Sequence, residues 1–241
     1  MLTLYQFPIS HYCEKVRWAL DYKGLDYTSK NLLPGIHLIV IKKIAQRSSV
    51  PVLVDGEKII QNSADIIDHL DRSYPGKPLT PADATLEQEA SEWERYVDKE
   101  VGVHLRRYFY SILLYHPKVV IPFFTHNGPW YGRPLMQLAF PALRKKMLSS
   151  MDISKQTAMM SLNHLDQAIN RLADHMQDRE FMVGNSFSRA DLAAASLLAP
   201  LCSPAGYGLD WPDSFPEGIE KVMARYKDKV SWVSDLYRNY R

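Results

Sequence analysis

The sequence predicts a mixed α/β unit followed by an all-helical one, and three observations predict it. Up to residue 73, short β-like runs alternate with stretches of helical spacing. A proline-rich break follows at 74–85. Beyond it, apolar residues recur every three or four positions. The length of 241 residues suits this division, being long for one small domain and short for three.

Residues 2–7 (LTLYQF) read as a strand. Ser10 is a natural N-cap for a helix over 11–22, on which Val16, Ala19 and Leu20 share a face. Residues 26–31 suit a second strand. VPVLV and EKII flank Asp55-Gly56, a dipeptide that predicts a type I′ hairpin. Asn62-Ser63 then opens a helix with Ile66, Ile67 and Leu70 on one side. The segment 74–85 holds three prolines and a glycine and predicts extended or turn structure. It sets the expected boundaries at 1–78 for the first domain, 79–85 for the linker and 86–241 for the helical domain.

In the second domain, Leu86, Ala90, Trp93, Val97, Val101, Leu105 and Tyr108 form one apolar stripe, and Met159, Leu162, Leu165, Ile169, Leu172 and Met176 another. Between them, 117–148 carries five prolines and is expected to break into short helices and loops. Ser188 to Asp191 has the spacing of a capping box, ahead of an apolar run, Leu192–Leu201, that predicts a helix buried all round. The tail from Glu217 reads as one or two amphipathic helices.

Composition narrows the function. A formal net charge of +2 gives no electrostatic case for nucleic acid. Two cysteines, Cys13 and Cys202, exclude a disulfide framework and a structural zinc site, and the histidines form no HExxH pattern, so no metal is expected. MLTLYQFPIS lacks the features of a signal peptide, and the uncharged runs 119–132 and 192–209 are too short or too rich in proline and glycine for a membrane span. A cytoplasmic protein is the expectation.

Three places could carry chemistry. Ser10-His11-Tyr12-Cys13 lies where the first strand meets the first helix, and free N–H groups and the helix dipole favour an anion there. The Ser10 hydroxyl could donate to a bound thiolate, or the Cys13 thiol could itself ionise; simple capping and simple packing are the plainer roles. Val50-Pro51 enters a strand, where an ordinary trans edge proline is one possibility and a cis bond presenting the Val50 backbone to a ligand the other. Ser63, at the next helix start, could cap that helix or hold a carboxylate.

Taken together, FPISHYCEKVRWAL, SVPVLVDGEKIIQNSADIIDHL and FMVGNSFSRADLAAASLLAPL resemble the cytosolic glutathione S-transferase superfamily over nearly the whole chain. The resemblance implies a thioredoxin-like N-terminal domain, an all-α C-terminal domain, a glutathione site on the first and an apolar acceptor site shared with the second. It places Ser10 at the thiolate-stabilising hydroxyl of serine-type classes, with Cys13 as the second cysteine position of a Cys-x-x-Cys motif whose first thiol is absent. Tyr5 lies near the hydroxyl of tyrosine-type classes and ranks below Ser10. Val50 would pair with the glutathione backbone, with Pro51 cis, and Asn62 and Ser63 would bind its γ-glutamyl end. Asn62 stands where the family has Glu or Gln, and Ser48-Ser49 where it has Gly-Lys; Lys42, Lys43, Arg47 and His37 are the candidates to replace the missing lysine, a solvated basic surface being the plainer role for most of them.

The implied activity is conjugation of glutathione, as co-substrate, to an apolar electrophile by a homodimer with a part in detoxification. Candidate walls of the acceptor site are Trp93, Tyr96, Tyr108, Phe109, Tyr115, Trp130, Tyr131, Tyr207 and Trp211, of which only a few are expected to line it, the rest being core; 117–148 is either a cover for that site or a surface insertion. A thiol reductase or isomerase dependent on Cys13, and a non-catalytic binding module, are the competing expectations.

Overall fold

The computed structural model describes all 241 residues. The first seven elements are β1 (Leu2–Gln6), α1 (His11–Tyr22), β2 (Tyr27–Asn31), α2 (His37–Ile41), β3 (Val52–Asp55), β4 (Lys58–Gln61) and α3 (Ser63–Ser73). The sheet order is β2-β1-β3-β4. β1 and β2 run parallel because a helix, α1, makes the crossover, whereas the tight turn between β3 and β4 forces them antiparallel. β1 buries Leu2, Leu4 and Gln6 on alternate positions.

The hairpin turn falls one residue later than the sequence suggests. Asp55 is still paired, with Lys58, so the turn is Gly56-Glu57. Only Gly56 of the two has positive φ, at 59°, which suits a turn with glycine first rather than the expected Asp-Gly type. Asp55 stays in the ladder because its carboxylate is engaged by His69 at 2.8 Å and by the Tyr74 hydroxyl at 3.0 Å.

The remaining helices are α4 (Ala84–Tyr96), α5 (Val103–Leu113), α6 (Pro117–Thr125), α7 (Gly132–Ser150), α8 (Lys155–Met176), α9 (Arg189–Cys202), α10 (Glu217–Tyr226) and α11 (Ser231–Tyr240). A π-helical segment, Val97–Gly102, joins α4 to α5. Its wider turn shifts the stripe, so that Val97, Val101, Leu105 and Phe109 are buried while Tyr108 is only half-buried. The 117–148 region does not break up fully: α7 runs 19 residues through Pro141.

α9 is buried on every side, with α1, α4 and α11 packed around it. Its start is fixed by the capping box read in the sequence: Asp191 accepts from the Ser188 N–H at 2.9 Å and hydroxyl at 2.8 Å, and Ser188 Oγ accepts from Ala190 N. Such a cap contributes about 1 kcal/mol. One continuous hydrophobic core, from Leu2 to Tyr237, runs through both parts of the chain. Charge bridges them too. Lys15 of α1 meets Glu94 at 2.7 Å and Asp98 at 2.9 Å, and Arg189 of α9 binds Glu94 and, at 2.6 Å, Asp68 of α3. Burial would raise the Glu94 carboxyl, but Lys15 and Arg189 hold it below its ordinary pKa.

Candidate functional site

The sheet register brings three distant stretches to one end. Tyr5 pairs with Val52, and Val52 with Gln61. The residues just beyond, Phe7 to Ser10, Val50-Pro51 and Asn62-Ser63, therefore leave the sheet at the same edge. The Val50-Pro51 bond is cis. Ser10 caps α1, its Oγ accepting from Cys13 N at 3.4 Å. That role uses an oxygen lone pair and leaves the hydroxyl proton free. The backbone N–H groups of His11 and Tyr12 find no backbone acceptor, as expected of a first helical turn.

A cavity of about 430 Å³ opens between this edge and the helices. Phe7, Ser10, His11, Tyr12, His37, Ser48, Ser49 and Val50 line one wall; Leu105, Arg106, Phe109, Tyr110, Leu143, Lys146 and Met147 line the other. Ser10 and Val50 thus share a cavity. Pro51, Asn62 and Ser63 are outside its wall, at the adjoining start of α3. Asn62 is held at φ 100° and ψ 133°, a conformation costing a non-glycine residue on the order of 1–3 kcal/mol, and its Oδ1 caps the Ala64 N–H at 3.3 Å. Ser63 is buried at the first helical position.

Cys13 has a different setting. It is fully buried, is not on the cavity wall, and burial raises its thiol pKa. A reactive thiolate needs exposure and a lowered pKa, and Cys13 has neither. Tyr5, within the sheet, also lies off the wall. Of the nine aromatic candidates, a few of which are expected to line an acceptor site, only Phe109 does so. Trp93 and Tyr96 pack with Arg171 of α8, Tyr207 is fully buried, and Trp130 is 91% exposed. Helical spacing says that a residue faces something, but not which neighbour. The cavity's other aromatic rings are Phe7, Tyr12, Tyr110 and Phe124. The 117–148 segment contributes to the wall through Phe124, Leu143, Lys146 and Met147. A larger groove of about 660 Å³ between α6 and α7 has only two hydrophobic residues in its wall and lies away from Ser10.

Several supporting residues escape sequence reading. Arg17 donates to Pro8 O at 3.2 Å and to Gln6 Oε1 at 2.6 Å, and the Tyr207 hydroxyl donates to Ile9 O at 2.9 Å. Together they fix the loop that delivers Ser10. Gln61 Nε2 donates to Arg47 O and Ser49 O, both at 2.7 Å, and so positions the approach to Val50. Burial, with help from Arg106, lowers the His11 pKa to about 3, so this ring is neutral. His37 is likewise lowered by burial, and its Nδ1 accepts from Gly35 N at 3.0 Å, which puts the ring proton on Nε2. Lys42 and Lys43 are exposed, and neither they nor Arg47 line the cavity.

The glutathione S-transferase N-terminal domain family matches residues 4–78, and the glutathione S-transferase C-terminal domain family matches 133–217. The chain belongs to the glutathione S-transferase superfamily. It is 45% identical over 85 residues to glutathione S-transferase Z1 of Arabidopsis thaliana, covering 34% of this chain and 38% of that relative's length. It is 27% identical over 213 residues to glutathione S-transferase TCHQD of the same plant, covering 83% of this chain and 77% of the other. A solved glutathione S-transferase from Methylobacterium radiotolerans, in complex with glutathione sulfonate, has the same fold. It superposes with a TM-score of 0.64 at 20% identity over 99% of this chain and 90% of its own. No helix of this superfamily member is long and apolar enough to cross a membrane.

Proposed function

We propose that this protein conjugates glutathione to an electrophile, with Ser10 activating the thiol. The observation that carries the proposal is the shared position of Ser10 and Val50 on one cavity, at the mouth of α1. The free Ser10 hydroxyl proton and the positive end of α1 would together stabilise a thiolate. Val50 would pair with the cysteinyl backbone, and the strained Asn62-Ser63 start of α3 would take the γ-glutamyl carboxylate. The neutral His37 Nε2–H is the available donor for the glycyl end, in place of the missing lysine. The 1–78 unit would thus carry glutathione and the 86–241 unit the acceptor, joined through the 79–85 linker, in a cytoplasmic homodimer.

In the reaction, the thiol proton leaves to solvent and the thiolate attacks the electrophilic carbon. The sulfur–carbon bond forms as the leaving group departs with the bonding pair. Cys13 is given no part, because its thiol is sealed in the core.

The test is ultraviolet titration of the thiolate in the glutathione complex, with steady-state rates alongside. Ser10→Ala should keep glutathione binding, raise the bound thiol pKa and slow turnover about tenfold for each unit of that rise. Cys13→Ala should keep turnover. Activity that survives Ser10→Ala and disappears in Cys13→Ala would overturn the assignment in favour of a thiol-exchange enzyme.

A further inference from the structure

The charge of the cavity is one-sided. Of its 24 lining residues only Arg106 and Lys146 carry a charge, and none is acidic. Both project from the helical wall, from α5 and α7, opposite Ser10. Both are exposed to solvent, whereas the shielded cations Lys15, Arg17, Lys23, Arg189 and Arg241 each meet a carboxylate. Arg106 and Lys146 enter no ion pair with the chain. The next residue, Arg107, is by contrast committed to Met151 O at 3.2 Å and Ser161 Oγ at 3.4 Å. No carboxylate stands on the cavity wall, and residues 101–151 hold seven Lys and Arg and no Asp or Glu. Burial lowers the pKa of both imidazoles on the facing wall, His11 and His37, so they add no further positive charge. Two unpaired, exposed cations therefore border an otherwise uncharged space whose helical wall is mainly apolar.

We infer that the acceptor is an amphipathic acid, its apolar body against Leu105, Phe109, Leu143 and Met147 and its carboxylate facing Arg106 and Lys146. This rests on the transferase reading above and narrows its apolar acceptor to an anionic class. An anion brought to a thiolate meets like-charge repulsion, and two cations on the far wall offset it. Arginine also offers a planar fork that matches a carboxylate.

A matched pair of aryl chlorides tests this, a chlorodinitrobenzoate and the corresponding chlorodinitrobenzamide. In each, the thiolate–carbon bond forms, the carbon–chlorine bond breaks and chloride leaves with the electron pair. Relative to the uncatalysed rates, the wild-type kcat/KM should favour the benzoate at least tenfold. Arg106→Met with Lys146→Met should erase that preference through the KM of the benzoate, leaving the KM of glutathione unchanged. Equal turnover of both chlorides by the wild type overturns the inference while leaving the transferase intact. So does a rise in the glutathione KM of the double variant, which would assign the cations to the co-substrate. Turnover of neither chloride counts against the transferase reading itself. Calorimetric binding of the two compounds then decides the cation site: tighter binding of the benzoate, lost in the double variant, supports it, and equal binding overturns it.

Discussion

Ser10 and Cys13 are one helical turn apart and have opposite surroundings. Ser10 is half-buried on the cavity wall, whereas Cys13 faces the core at zero exposure. His11, between them, is 94% buried and its Nε2 has no hydrogen-bond partner. Its pKa of about 3 means that the folded protein resists a proton that the unfolded chain accepts below about 6.5. The neutral ring's contribution is therefore fully present above about pH 6.5 and is lost as pH falls from there toward 3. Urea titrations of wild type and His11→Leu at several pH values should show the wild type losing stability relative to the variant below pH 6.5. The loss approaches tenfold in the unfolding equilibrium per pH unit. Parallel pH curves would mean that His11 is not the group responsible.

The π-helical segment between α4 and α5 places a backbone carbonyl and a glycine beneath the site. The Tyr12 hydroxyl donates to Asp98 O at 2.5 Å, and Tyr12 lies against Gly102. A Cβ at position 102 would collide with the Tyr12 hydroxyl and the Leu197 side chain. Neither can retreat easily, since Tyr12 is tied by its hydrogen bond and Leu197 belongs to the buried α9. Gly102→Ala should cost roughly 1–3 kcal/mol by overpacking, read as a lower urea midpoint, and should reduce acceptor turnover because Tyr12 forms part of the wall. Unchanged stability would show that α9 and α5 can separate there at little cost.

The two halves are joined by burial and by a chain of charges running Asp98, Lys15, Glu94, Arg189, Asp68. Four of its members, Lys15, Glu94, Asp98 and Arg189, are shielded, while the Asp68 side chain is 44% exposed. Removing Arg189 would leave Glu94 buried with only Lys15 opposite it. Arg189→Met should therefore destabilise by about 3–5 kcal/mol, whereas Asp68→Asn should change stability by about 1 kcal/mol or less. Differential scanning calorimetry of both variants checks the contrast. Equal small effects would mean that water reaches Glu94 when the arginine is gone.

Local rules are legible in the chain: the alternation of β1, the cap before α1, the hairpin, and the Ser188–Asp191 box each depend on residues within a few positions of one another. The sequence also located the segments that carry Ser10, Val50 and Ser63, since strand and helix ends can be read from turn and cap residues. The turn at Gly56-Glu57 moved by one position because Asp55 has partners in α3 and beyond, which spacing does not reveal. Burial of Cys13, the choice of Phe109 rather than its aromatic neighbours, and the pairing of Arg106 with Lys146 on one wall were settled only by tertiary structure. Each depends on how helices far apart in sequence rotate against each other and against the sheet. That rotation is fixed by the summed fit of the shared core, to which no single stretch of sequence holds the key.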